Sequence, residues 1–134
     1  MGAANAASME PRDLARAVYD GLTATWNAGD AAAFAALFAP DADLVTIIGK
    51  YAHGRAEIAA VHEPIFAGPY RGSVVTWDVQ SARTIAAGLV HTIAYGNVVI
   101  PTGPMAGSID AANMLLIAVG DDGPLVVAFQ NTRR

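Results

Sequence analysis

The chain has 134 residues, 54% of them apolar and only 15% charged, with a formal charge of −4 and no cysteine. A largely disordered chain shows the reverse balance, and a protein that grips nucleic acid needs a basic stripe that this sequence lacks. Missing thiols exclude disulfides, cysteine nucleophiles, iron–sulfur clusters and cysteine-ligated zinc.

Along the chain, residues 1–9 read as a tail and 10–134 as one domain. The start has neither the basic stretch nor the apolar core of a secretory signal. The longest apolar runs, such as 114–119, fall far short of the ~20 residues that span a membrane. A cytoplasmic protein with no membrane partner is therefore expected. Pro11 opens a first helix, with Leu14, Val18, Leu22 and Trp26 repeating along one face, and Asn27-Ala28-Gly29 closes it. Asp30 caps an alanine-rich second helix carrying Phe34, Leu37 and Phe38, which Pro40 stops. Asp41-Ala42-Asp43 then turns the chain into a strand, 44–48. After Gly54 a third helix sets Ile58, Val61, His62, Ile65 and Phe66 on one stripe and ends at Gly68-Pro69.

From there the sequence turns to β-branched runs separated by turn residues: 73–85, 89–100, 109–119 and 125–132. Short connections predict that these four pair as an antiparallel meander. Helices first and sheet second predict an α+β fold, a curved antiparallel sheet wrapped around three N-terminal helices. Runs 89–100 and 114–119 carry apolar residues at both parities, so the outer sheet face is expected to pack in a homodimer.

Several chemistries find no support. No glycine-rich phosphate loop is present, and Ser108 in Ala-Gly-Ser-Ile-Asp lacks the elbow of an α/β-hydrolase. The three histidines, His53, His62 and His91, share no metal-binding spacing, so neither a metal nor a cofactor is expected.

Four stretches carry a resemblance: Trp26-Asn27-Ala28-Gly29-Asp30, Phe38-Ala39-Pro40-Asp41-Ala42, Gly54-Arg55 with Ile58 and His62, and Ala128-Phe129-Gln130-Asn131-Thr132. In order and spacing they resemble the nuclear transport factor 2-like superfamily, and within it the SnoaL-like, SgcJ/EcaC branch. Gly68-Pro69-Tyr70-Arg71-Gly72-Ser73 is similar to the enediyne-cluster members of that branch. The resemblance implies a cone-shaped, cystatin-like barrel open to a small apolar molecule, a homodimer, and a place in bacterial polyketide- or enediyne-type biosynthesis. Ketosteroid isomerases of this superfamily use an Asp base with a Tyr and a protonated Asp as oxyanion donors. Overlaying them puts the base at Thr46, the tyrosine at Leu22 and the acid at Leu115 or Ile117. None of these side chains can do that work, so that machinery is excluded. The overlay also implies inward stripes: Leu44, Thr46 and Ile48; His91, Ile93 and Tyr95; Asn113, Leu115 and Ile117; and Gln130, with His62 facing the cavity.

His62 and His91 form the candidate acid–base pair, because imidazole titrates near neutrality. The ordinary reading of His62 is a core histidine bonded to a backbone carbonyl; that of His91 is an interface residue. Tyr95 is either a donor to a ligand oxygen or a packing residue. Asn113 and Gln130 interrupt apolar strands, and a buried amide costs about 1–3 kcal/mol unless partnered. They are therefore expected to line the pocket or to bond each other. Trp26, Thr46, Phe66, Trp77 and Leu115 complete the candidate ligand wall, core packing being the ordinary reading of both tryptophans. Arg55 is expected to pair with a nearby acid. The expected function is binding of a hydrophobic intermediate, with a cofactor-independent proton transfer or cyclisation. A carrier or dimerisation module is the alternative.

Overall fold

The computed structural model describes residues 9–134, so the expected tail, apart from Met9, lies outside the described residues. Helix α1 spans Pro11–Asn27, with Pro at its first turn and Asp13 beside the positive N-terminal end. It buries Leu14, Ala15, Tyr19 and Leu22. Gly29, at a φ of 65°, closes it.

Helix α2 (Ala31–Ala36) is capped by Asp30, whose carboxylate accepts from the Ala33 amide at 3.0 Å. It stops earlier than the sequence suggests. Phe38 belongs to strand β1 (Phe38–Val45), which runs parallel to the last strand and takes in Pro40 and Asp41-Ala42-Asp43. The ladder slips between Phe38 and Asp43. A proline, lacking an N–H, is tolerated at such an irregularity. Arg55 does not pair with an acid; its Nε donates to the Phe38 carbonyl at 2.7 Å.

Strand β1 ends at Val45, so Thr46–Ile48 of the expected strand form a turn instead. The Thr46 hydroxyl accepts the Lys50 amide at 3.0 Å and Gly49 takes a φ of 86°. Strand β2 (Tyr51–His53) returns antiparallel to β1. Helix α3 (Gly54–Ala67) follows, burying Ile58, His62 and Phe66 at i, i+4 and i+8.

The remaining strands are β3 (Val74–Ala86), β4 (Leu89–Ile100), β5 (Gly107–Gly120) and β6 (Gly123–Arg133). They pair antiparallel in sequence order, and the curved six-stranded sheet runs β2-β1-β6-β5-β4-β3. The core fills the space between the helices and the inner sheet face, around Leu14, Leu22, Phe34, Phe38, Leu44, Ile58, Leu115, Ile117 and Val126. Fully burying one such side chain stabilises by about 1.5–3 kcal/mol.

Register decides what faces inward. Val90, Thr92 and Ala94 stand opposite Ile117, Leu115 and Asn113, all on the buried side. His91, Ile93 and Tyr95 therefore lie on the outer face, opposite to the expected phase. In β6, Phe129 and Asn131 pair with Leu115 and Asn113 on the inner face, while Gln130 pairs with Met114 on the outer one. A slip between Leu116 and Ile117 leaves one extra residue in β6 and sets that phase.

Candidate ligand cavity

A cavity of about 400 Å³ opens between the helices and the inner face of the sheet. Leu22 and Trp26 of α1, Phe34 of α2 and Val61, His62 and Ile65 of α3 form its helical side. Leu44, Val75, Trp77, Gly96, Val98, Ile109, Ala111, Phe129 and Asn131 form the sheet side. Exposed Ile48 and Met105 contribute at the mouth, with Pro69, Tyr70 and Lys50, the last being the one lining residue with a fixed charge among those described. A mostly apolar wall with few polar groups is the usual make-up of a small-molecule pocket.

His62 is 3% exposed. Its Nδ1 lies 2.7 Å from the carbonyl of Ile58, one turn back on the same helix. A carbonyl can only accept, so Nδ1 carries the proton and Nε2 keeps a free lone pair. Phe34 packs 4.5 Å from the imidazole centroid, Phe66 at 5.7 Å and Trp26 at 6.0 Å. Burial in this aromatic box lowers the His62 pKa below the usual histidine value, the Ile58 hydrogen bond opposing the shift. The ring is thus a neutral base at physiological pH. One nitrogen serves the helix, and the ring lines the cavity.

Trp26 is fixed by its Nε1, which donates to Ser73 Oγ at 2.9 Å, and by edge packing on Phe66 at 4.9 Å. Phe66 supports this ring and His62 from behind and does not reach the cavity wall. Trp77 lies across Gly96, its cross-strand partner, and 5.3 Å from the Tyr19 ring. Its Nε1 is buried without a hydrogen-bond partner among the described residues. Thr46 lines the cavity near the mouth, its hydroxyl engaged by the Lys50 amide.

The other candidates stand elsewhere. Asn113 and Leu115 are on the inner face but sealed in the core, 1% and 0% exposed, away from the cavity wall. His91, Tyr95 and Gln130 occupy the outer face, where the Arg134 guanidinium sits 3.7 Å over the Tyr95 ring. Since the sheet separates His91 from His62, the two cannot act as an acid–base pair. Asn113 bonds Asn131, not Gln130's side chain, through Nδ2 to Oδ1 at 2.7 Å. Asn131 is the functional candidate that sequence reasoning missed. Its only signal was the amide pair Gln130-Asn131, whose inner member depends on the slip in β6.

Asp43, Tyr51 and His53 meet on the exposed face of β1 and β2. The Tyr51 hydroxyl donates to Asp43 at 2.6 Å and His53 Nδ1 reaches the same oxygen at 2.8 Å. These bonds lower the Asp43 pKa and raise that of His53. Among the described residues no group of three His, Cys, Asp or Glu could hold a metal ion, and no helix is long and apolar enough to cross a membrane.

The family model described as SnoaL-like domain matches residues 16–127. The chain belongs to the SnoaL-like domain family. Solved structures agree on the fold. A Nostoc punctiforme domain of unknown function with a cystatin-like fold is 28% identical, with a TM-score of 0.81 over 92% of this chain and 77% of that one. A Novosphingobium aromaticivorans NTF2-like protein with a cystatin-like fold is 22% identical, with a TM-score of 0.75 over 98% and 86%. A ketosteroid isomerase-like protein from Erwinia carotovora atroseptica is 13% identical, with a TM-score of 0.74 over 88% and 92%. No curated protein matches the sequence. This SnoaL-like domain thus has the nuclear transport factor 2-like architecture.

Proposed function

We propose that this SnoaL-like domain encloses a hydrophobic intermediate of bacterial natural-product biosynthesis, of the polyketide or enediyne type, and moves a proton on it without a cofactor. The observation that carries the reading is His62: a buried, neutral imidazole with Nδ1 tied to Ile58 and a free Nε2 in an apolar cavity. Nε2 takes a proton from an acidic carbon of the bound molecule, and the C–H electron pair stays on the substrate as an enolate. The imidazolium then returns the proton to another atom, giving an isomer or, after ring closure, a cyclic product. Enclosure in one reactive conformation supplies the rest of the acceleration. Pro69 and Tyr70, within the stretch similar to enediyne-cluster proteins of the SgcJ/EcaC branch, form part of the mouth, which supports that placement.

A carrier that binds without turnover is the second reading. It is favoured by the lining itself, which contains no carboxylate among the described residues to orient or stabilise a protonated His62. His62→Gln separates the two. An enzyme loses turnover and keeps affinity for the molecule that co-purifies from the producing host, read by native mass spectrometry. If the parent protein turns over none of the co-purifying molecules, the catalytic reading is overturned and the carrier remains.

We also infer that the working unit is a cytoplasmic homodimer closed across the outer sheet face. Val74, Val99, Met114 and Tyr95 are 48%, 48%, 45% and 39% exposed there. Apolar side chains grouped on one face mark an interaction surface.

A further inference from the structure

A chain of hydrogen bonds leads from the packed core to the cavity, and one end of it fixes the direction of the whole. Asn113 Nδ2 lies 3.3 Å from the backbone carbonyl of Gln130. A carbonyl only accepts, so the amide nitrogen of Asn113 must be on that side. The same nitrogen donates to Asn131 Oδ1 at 2.7 Å. The Asn113 oxygen then faces Tyr19, whose hydroxyl donates to it at 2.8 Å. Tyr19 has one proton and has given it away, so its 2.9 Å bond with Thr92 is donated by the threonine.

Every bond therefore points the same way: Thr92 to Tyr19, Tyr19 to Asn113, Asn113 to Asn131. Thr92 and Asn113 are 0% and 1% exposed and Tyr19 is 2% exposed, so water does not compete for these groups. Bonds aligned head to tail in a low dielectric polarise one another. With its oxygen committed, Asn131 is left with its NH₂ group, which makes no hydrogen bond among the described residues. Asn131 lines the cavity.

The geometry points to Asn131 Nδ2 as an oriented hydrogen-bond donor for a carbonyl oxygen of the ligand, held in place by the buried Thr92–Tyr19–Asn113 relay. This inference rests on the cavity reading above and narrows its ligand class to apolar molecules that carry a carbonyl. A donor and the free lone pair of His62 in one cavity match a ketone with a removable α-hydrogen. Asn131 is here a binding residue, and Tyr19, Thr92 and Asn113 are positioning residues.

Two planar probes of matching shape test it: 2-acetylnaphthalene and 2-isopropenylnaphthalene, in which a C=CH₂ replaces the C=O. Dissociation constants come from calorimetry on the whole chain, and the bound ketone's C=O stretch from infrared difference spectra. Comparing the affinity ratio of the two probes between parent and Asn131→Leu cancels their different preference for water. The ratio should shift by about tenfold against the ketone in Asn131→Leu, the scale of one buried hydrogen bond. The C=O stretch should rise towards its value in hydrocarbon. Tyr19→Phe and Thr92→Val should move both readouts the same way by less. If the leucine variant fails to fold, Asn131→Asp, which replaces donor by acceptor, should shift the ratio in the same direction. An unchanged ratio and an unchanged stretch overturn the donor assignment while leaving the cavity reading intact. Failure of both probes to bind the parent overturns both readings, and binding of the alkene without the ketone overturns the donor assignment alone.

Discussion

Gly96 offers a direct measure of how the cavity wall is built. It stands opposite Trp77 in the β3–β4 pairing, and the indole lies across it. A methyl group at this position would stand 2.7 Å from Trp77 Cε3 and 3.1 Å from Cη2, and closer still to Cζ3. Non-bonded carbons settle at about 3.5–4.0 Å, so the ring must retreat by roughly 1 Å. Gly96 is not among the glycines with positive φ, so alanine brings no backbone strain. In an ordinary strand that substitution stabilises by about 0.5–1 kcal/mol. Here overpacking costs about 1–3 kcal/mol, and the sign reverses. The net expectation for Gly96→Ala is a loss of about 1–2 kcal/mol, with Tm falling about 4 °C per kcal/mol at this chain length. Urea and thermal unfolding followed by circular dichroism give the loss. Tryptophan emission reports the displaced indole. In a Trp77→Leu background the alanine penalty should vanish, because the two positions are coupled. A Gly96→Ala protein as stable as its parent, or an equal penalty with leucine at 77, would refute the reasoning.

Three further outcomes follow from named groups. An unfolded chain protonates His62 near pH 6.5, whereas the buried ring does so only at lower pH. Between those values the unfolded chain binds more protons, so stability falls as pH drops below about 6.5, and the loss is complete once the folded value is passed. His62→Gln should remove that part of the pH dependence, and urea titrations giving parallel pH curves for both proteins would contradict it. Asp43 raises the His53 pKa, so Asp43→Asn should move the imidazole titration of His53, followed by its proton shifts, to lower pH. An identical NMR titration in parent and variant would show that the pair is not formed. Finally, light scattering at micromolar concentration should find a dimer for the parent and a monomer for Met114→Lys, and a monomeric parent removes the outer-face argument.

The helices and the order of the four long strands were legible because their signals are local. Pro11, Asp30 and Gly29 mark helix ends by backbone chemistry alone, and the stripe of Ile58, His62 and Phe66 fixes which side of α3 is buried. The phase of β4 was not legible. Both of its faces are apolar, so period-2 alternation carries no information about which is inner. The inward placement of His91 and Tyr95 comes from the isomerase overlay, and with both faces apolar the alternation offers nothing to correct it. Gln130 was misassigned for another reason: one extra residue in β6 inverts the parity beyond it, and no residue type announces that slip. Phe38 was drawn into a helix because Pro40 reads locally as a stop. Its actual partner, Val126 in β6, lies far along the sequence. Asn131 was hidden behind both effects.

The orientation of His62 is set by Ile58 on its own helix, one turn earlier, with no residue of the facing sheet involved. The tautomer is therefore inherited with a five-residue helical segment and does not depend on what decorates the opposite wall. Strand residues around the hollow can be exchanged for larger, smaller or more polar ones, and the base keeps the same free nitrogen. A scaffold wired in this way can change its guest without rebuilding its proton acceptor.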